Sequence, residues 1–154
     1  MKILTDIFIS LFYIGYSKKI AGTIASLFSI IILFPVFEYN VISYQLLILI
    51  FIIIFLLSLF FINKFSSYTK SHDSSIIVID EFLGIYFIFI FYDYIYYINS
   101  VLTVILIFIT FRFFDICKIF PSNIIDKKIK NSFGVILDDI IAALYTIIFL
   151  YILN

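Results

Sequence analysis

The residues of this chain best suited to chemistry crowd into one stretch, residues 111–143, which reads FRFFDICKIFPSNIIDKKIKNSFGVILDDIIAA. It holds Arg112, Asp115, Lys118, Asp126, Lys127, Lys128, Lys130, Asp138 and Asp139, nine of the chain's twenty Lys, Arg, Asp and Glu residues. Arg112, Asp115 and Lys118 recur at i, i+3 and i+6, which on a helix lays them along one stripe. Such a stripe is either an Arg–Asp pair at a span end with a snorkelling lysine, or a cationic clamp for phosphate beside a carboxylate that orients water or a metal. Asp138 and Asp139 are neighbouring carboxylates that repel each other, and a divalent cation relieves that repulsion. Asp80 and Glu81 form a second adjacent pair. Gly84, one turn on from Asp80, leaves room for close approach of another backbone or a ligand. Hard carboxylate oxygens with Arg and Lys among them suit Mg²⁺, which binds through few carboxylates together with phosphate oxygens and water. At a membrane surface, that combination points to phosphate-ester chemistry on a lipid headgroup.

These residues must be positioned by a very apolar chain. Of 154 residues, 65% are hydrophobic and only 13% charged, with a mean hydropathy of +1.25. Soluble domains are typically ~45–50% apolar, so the chain is expected to form one membrane domain over residues 1–154. Net charge is zero, so no overall field steers it to nucleic acid. Lone Cys117 excludes an intramolecular disulfide and a paired-cysteine metal site. His72 is the single histidine. It is either a surface loop residue or a group for proton transfer or phosphate contact ahead of Asp80.

The apolar runs predict an all-α polytopic membrane helix bundle with four to five spans and an N-terminal interfacial helix. A bilayer core of ~30 Å needs ~20 residues to cross. Residues 3–14 fall short and contain Asp6, which predicts an interfacial or re-entrant helix. No small-x-small cleavage site follows, so the segment is expected to be retained. Spans are expected at residues 24–37 (from 20 if the flank contributes), 41–62, 76–92 with Asp80 and Glu81 at its entry, 100–114, and 135–153. Residues 63–75 read as a polar loop and 93–99 as a Tyr-rich connection. With these spans, all ten Lys and Arg residues and eight of the ten acids fall at one side of the membrane. By the positive-inside rule that side is the cytoplasm.

Three blocks of the sequence resemble the phosphatidylglycerophosphatase A family, and together they cover nearly the whole chain. AGTIASL, residues 21–27, is similar to a family segment containing PGT, with Ala21 at the proline and Ala25 at another glycine. HDSSIIVIDEFLG, residues 72–84, matches at His72, Asp73, Asp80, Glu81, Phe82 and Gly84. Residues 111–143 match at Arg112, Asp115, Lys118, Pro121, Asp126, Gly134, Asp138, Asp139 and Ala142, with Asn131 and Ser132 in place of glycines before GxxxDD. The resemblance implies a Mg²⁺-dependent phosphatase of bacterial phospholipid synthesis. It would convert phosphatidylglycerophosphate to phosphatidylglycerol and phosphate, at the cytoplasmic face of the inner membrane. On that basis Asp80, Glu81, Asp138 and Asp139 are expected to hold Mg²⁺, and Arg112 and Lys118 to bind phosphate. Asp115 or Glu81 would position or deprotonate the attacking water, with Thr23 and His72 as further phosphate contacts.

Other chemistries lack their residues. There is no Cx₅R loop, no DxDx[TV] segment and no second histidine. The long DG…AR…G…D…D signature of CDP-alcohol transferases is absent too. A small non-enzymatic membrane carrier or assembly subunit with a carboxylate ion site is the competing class. It predicts acids near the middle of spans, at broken helices.

Overall fold

The computed structural model of the chain describes residues 2–17, 20–69, 74–95 and 99–153. Among them every regular element is helical: α1 (Lys2–Ile9), α2 (Ala21–Glu38), α3 (Tyr44–Thr69), α4 (Ile79–Ile90), α5 (Tyr92–Ile95), α6 (Ser100–Cys117), α7 (Ser122–Lys128) and α8 (Ser132–Leu153), with a 3₁₀ turn at Ile14–Tyr16. Four of these helices, α2, α3, α6 and α8, are long and apolar enough to cross a membrane.

Their outward faces explain the composition. On α3, Leu46, Leu49, Ile53, Leu56 and Phe60 are all exposed, at the three- and four-residue spacing of one helix face. Val101, Ile105, Ile109, Phe113 and Ile116 do the same on α6. Continuous exposed apolar stripes of this kind suit lipid rather than water. Hydroxyls within these helices bond back to their own carbonyls, as Ser58 does to Ile54 at 2.8 Å and Thr146 to Ala142 at 2.9 Å. No polar side chain of this set needs a partner from lipid.

The third expected span differs most from expectation. Residues 76–92 do not form a full-length crossing helix: α4 has 12 residues, about 18 Å at 1.5 Å per residue, and a turn at Phe91 separates it from α5. Its surroundings supply the reason. Leu83, Ile85, Ile88 and Phe89 are fully buried, because α4 is enclosed by α8, α2 and α3. A helix apolar on all sides belongs inside a bundle. At the other extreme, α3 continues to Thr69 through residues expected to be loop. Ser67 and Thr69 bond back to Lys64 and Phe65 at 2.7 and 2.8 Å, which lets the helix absorb them.

The N-terminal segment matches its expectation of a short helix. α1 lies along the last turns of α3, with Phe8 against Phe61 at 4.7 Å between ring centres. Asp6 accepts a hydrogen bond from Tyr68 Oη at 2.5 Å. Three consecutive left-handed residues, Leu11, Phe12 and Tyr13, then reverse the chain, and the Ile9 carbonyl accepts the Val78 amide at 2.9 Å just ahead of α4.

Two ends of the bundle result. α2 and α4 begin, and α6 ends, at one of them. At the other, Glu38 of α2, Tyr92 of α5 and Ser100 of α6 meet. Between them lies an apolar core containing Ile30, Ile85, Phe89, Ile107, Phe111 and Ala143.

Candidate active site

The first turn of α4 carries Asp80 and Glu81. Backbone N–H groups at a helix start have no partner within the helix, and here the Glu81 amide donates to Asp80 Oδ1 at 3.1 Å. Asp80 thereby folds over its own helix start towards Glu81, although consecutive helical side chains diverge by ~100°. The positive end of the α4 dipole favours both carboxylates.

α8 supplies Asp139, two turns from its start and only 5% exposed. Close packing of α4 on α8 and α6 brings it in. A Cβ at Gly84 would stand 2.8 Å from the Phe111 ring and 3.2 Å from the Asp139 carbonyl oxygen. The absence of a side chain at Gly84 is what lets these backbones meet, as the sequence implied. One oxygen each from Asp80, Glu81 and Asp139 lies within 4.8 Å of the others. Glu81 Oε2 and Asp139 Oδ2 are buried and accept no hydrogen bond among the described residues.

α6 brings the cation. Arg112 Nη1 donates to Asp115 Oδ2 at 2.5 Å and stands 4.0 Å from Glu81 Oε1. The side chains of Arg112, Glu81 and Asp115 are 17%, 15% and 14% exposed, so water screens them little. Asp115 in turn lies against Asp139. Arg112 Nε is buried with no partner among the described residues, which leaves a donor for an incoming anion. Four acids around one guanidinium carry an excess of negative charge that a dication offsets. Hard oxygens converging with unshared lone pairs fit Mg²⁺ or a similar cation.

The family profile described as Phosphatidylglycerophosphatase A matches residues 7–154. The chain belongs to the phosphatidylglycerophosphatase A family. It is 35% identical over 97 residues to a Haemophilus influenzae protein named phosphatidylglycerophosphatase A, an alignment covering 63% of this chain and 57% of that relative. The chain thus spans little more than half of that relative's length. No solved structure matches it.

The charged residues expected at the site of this family member divide into two groups. Asp80, Glu81, Asp115, Asp139 and Arg112 converge. Asp138, expected with the cation ligands, faces the other way. Its Oδ2 pairs with Lys118 Nζ at 2.7 Å, and its Oδ1 accepts a hydrogen bond from Ser122. Lys118 leaves the Arg112–Asp115 stripe because it caps α6 in a left-handed conformation, φ 42° and ψ 60°. Thr23, in the first turn of α2, is exposed. His72 lies outside the described residues.

Two contributors were not singled out from the sequence. At Gly22, a Cβ would overlap Glu81 Oε1 and stand 3.1 Å from Arg112 Nη1. The start of α2 therefore closes over the site through the missing side chain at Gly22. A glycine in the first turn of an apolar span is the signal that points to it. Ser122 carries no comparable signal beyond its place after Pro121.

Proposed function

We propose that this chain is a lipid phosphatase. It hydrolyses the phosphomonoester of phosphatidylglycerophosphate to phosphatidylglycerol and inorganic phosphate, with Mg²⁺, at the cytoplasmic face of a bacterial inner membrane. One observation carries the reading: three carboxylates, Asp139 buried and Asp80 and Glu81 half-buried, and an arginine with an unpartnered Nε gather at one end of a membrane bundle, in a chain of this family. The orientation rests on the concentration of Lys and Arg at that end.

Asp80, Glu81 and Asp139 would hold Mg²⁺. Bound there, it acts as a Lewis acid on phosphate oxygens and offsets charge as the P–O bond breaks. Arg112 binds equatorial phosphate oxygens, and the first turns of α2 and α4 add the positive ends of their dipoles. Asp115 stands outside the cation set, beside Arg112, and orients the attacking water. Glu81 is occupied in that set, so Asp115 is the better placed of the two. Water adds to phosphorus as the glycerol oxygen departs and takes up a proton. The carrier alternative is disfavoured because the acids collect at a bundle end.

The test is phosphate release from phosphatidylglycerophosphate by the purified full chain in detergent, with phosphatidic acid for comparison. D80N, D115N and D139N should each lower the rate about 10²–10³-fold. Near-normal rates in all three would overturn the assignment.

A further inference from the structure

We infer that Gly15 and Ser10, in the N-terminal hook of residues 9–17, are positioning residues that set the start of α4 and so hold Asp80 and Glu81 against Asp139. This rests on the phosphatase reading, which leaves the N-terminal segment without a role.

A helix start is ordinarily fixed by a Ser, Thr, Asp or Asn at its cap. Val78 stands at the cap of α4 and makes no side-chain capping bond. The backbone there is fastened from the hook instead. The Val78 amide donates to the Ile9 carbonyl at 2.9 Å. Two residues earlier, Ile76 lies directly on Gly15. A Cβ at Gly15 would overlap the Ile76 carbonyl oxygen and stand 2.8 Å from its carbonyl carbon and 3.1 Å from its Cα. These are backbone atoms, so no side chain can swing aside to make room. Asp80 follows Val78 by two residues and Glu81 by three, so a shift of the hook reaches both carboxylates through a single intervening residue.

The hook keeps its shape against a backbone cost. Leu11, Phe12 and Tyr13 are all left-handed, with φ of 46°, 57° and 71°. Such conformations persist in large residues only where the surroundings hold them. Ser10, fully buried, holds these. Its hydroxyl accepts the Tyr13 amide at 3.0 Å, and its carbonyl accepts the Gly15 amide at 3.0 Å. The same hydroxyl donates to the Asp6 carbonyl. Asp6, the acid that interrupts the first apolar run, is itself pinned to α3 by Tyr68. Beyond Ser10, Ile9 and Leu11 join Val78 and Ile79 of the α4 start and Ala21 and Ala25 of α2 in one buried cluster. The hook thus stands between the starts of α2 and α4, which meet at Gly22 and Glu81.

The experiment uses the full-length protein in detergent. Mn²⁺ binding is followed by electron paramagnetic resonance, and the Val78 amide by hydrogen–deuterium exchange. G15A should weaken Mn²⁺ about tenfold or more, the scale of loss when ligands lose their support, and should lower kcat more than it raises KM. Exchange at Val78 should quicken in G15A while exchange within α8 keeps its wild-type rate. S10A should act in the same direction on both readings. E38Q, at the far end of the bundle, should lower Tm yet keep Mn²⁺ affinity within about twofold of wild type, as distant independent sites do. Mn²⁺ affinity inside that range in both G15A and S10A overturns the inference, as does a loss in G15A no larger than in E38Q. Exchange that quickens equally at Val78 and in α8 overturns it too, since that marks general loosening. D139N separates the two levels. Wild-type Mn²⁺ affinity in D139N sinks the cation site and this inference with it; a loss in D139N with none in G15A or S10A sinks the inference alone. If G15A fails to fold, S10A decides by the same two readings.

Discussion

Each end of the bundle holds a glutamate, and the two are treated in opposite ways. At the far end, Glu38 accepts hydrogen bonds on both oxygens, from Tyr92 Oη at 2.8 Å and Ser100 Oγ at 2.7 Å. It ties α2, α5 and α6 together, with a donor from the chain on each oxygen. At the site end, Glu81 Oε2 is buried without a partner, and Oε1 stands 4.0 Å from Arg112. Leaving a buried acceptor unsatisfied costs ~1–3 kcal/mol. A bundle that satisfies one glutamate completely can satisfy another, so the unmet oxygen at Glu81 is where the proposed cation would supply the missing partner. The lesson concerns polar groups in membranes generally: a carboxylate closed by neutral donors braces the fold, and a convergent open set binds.

Four changes test this contrast. The largest effect is expected from D139N, which removes one member of the open set and should lower phosphate release about 10²–10³-fold; chelation of divalent cations should match it, and added Mg²⁺ should rescue the wild type alone. G84A places a methyl group 2.8 Å from the Phe111 ring. It should destabilise the protein by ~1–3 kcal/mol, read as a lower Tm in detergent, and reduce activity because the Asp139 backbone has to move. G22A intrudes on the Glu81 carboxylate, which is flexible enough to shift. It should cost about tenfold in kcat with Tm almost unchanged, since misplacement of a catalytic group by about 1 Å reaches that scale. E38Q is the smallest. It keeps one acceptor oxygen, so Tm should fall by the equivalent of ~1 kcal/mol and kcat should stay within about twofold. A large catalytic loss in E38Q, or a wild-type rate in D139N, would break the comparison between the two ends.

The outline of the fold was legible in the sequence. The runs at residues 24–37, 41–62, 100–114 and 135–153 all became helices, most of them longer than expected, although α3 begins only at Tyr44. The exception is instructive. Residues 76–92 were apolar enough to predict a span, yet the structure enclosed a short α4 at the centre. Hydropathy measures whether a side chain avoids water, and lipid and protein interior satisfy it equally. The site was legible as a set of residue types at one face of the membrane. Asp80, Glu81, Arg112, Asp115 and Asp139 did converge. Thr23 is exposed, and the residue of α2 that lies against Glu81 and Arg112 is its neighbour Gly22. Asp138 went to Lys118, because a helix cannot aim two neighbouring side chains at one point.

What the sequence determined by itself is which segments leave water and the end at which the charges gather. Both follow from local composition, because the cost of placing an apolar or ionised group in lipid depends on that group and its depth. The tertiary structure decided which oxygens share a ligand. That depends on the rotation of α8 about its axis and on the closeness of α2, α4 and α6. Gly22 and Gly84 govern that closeness by lacking a side chain where another helix must pass.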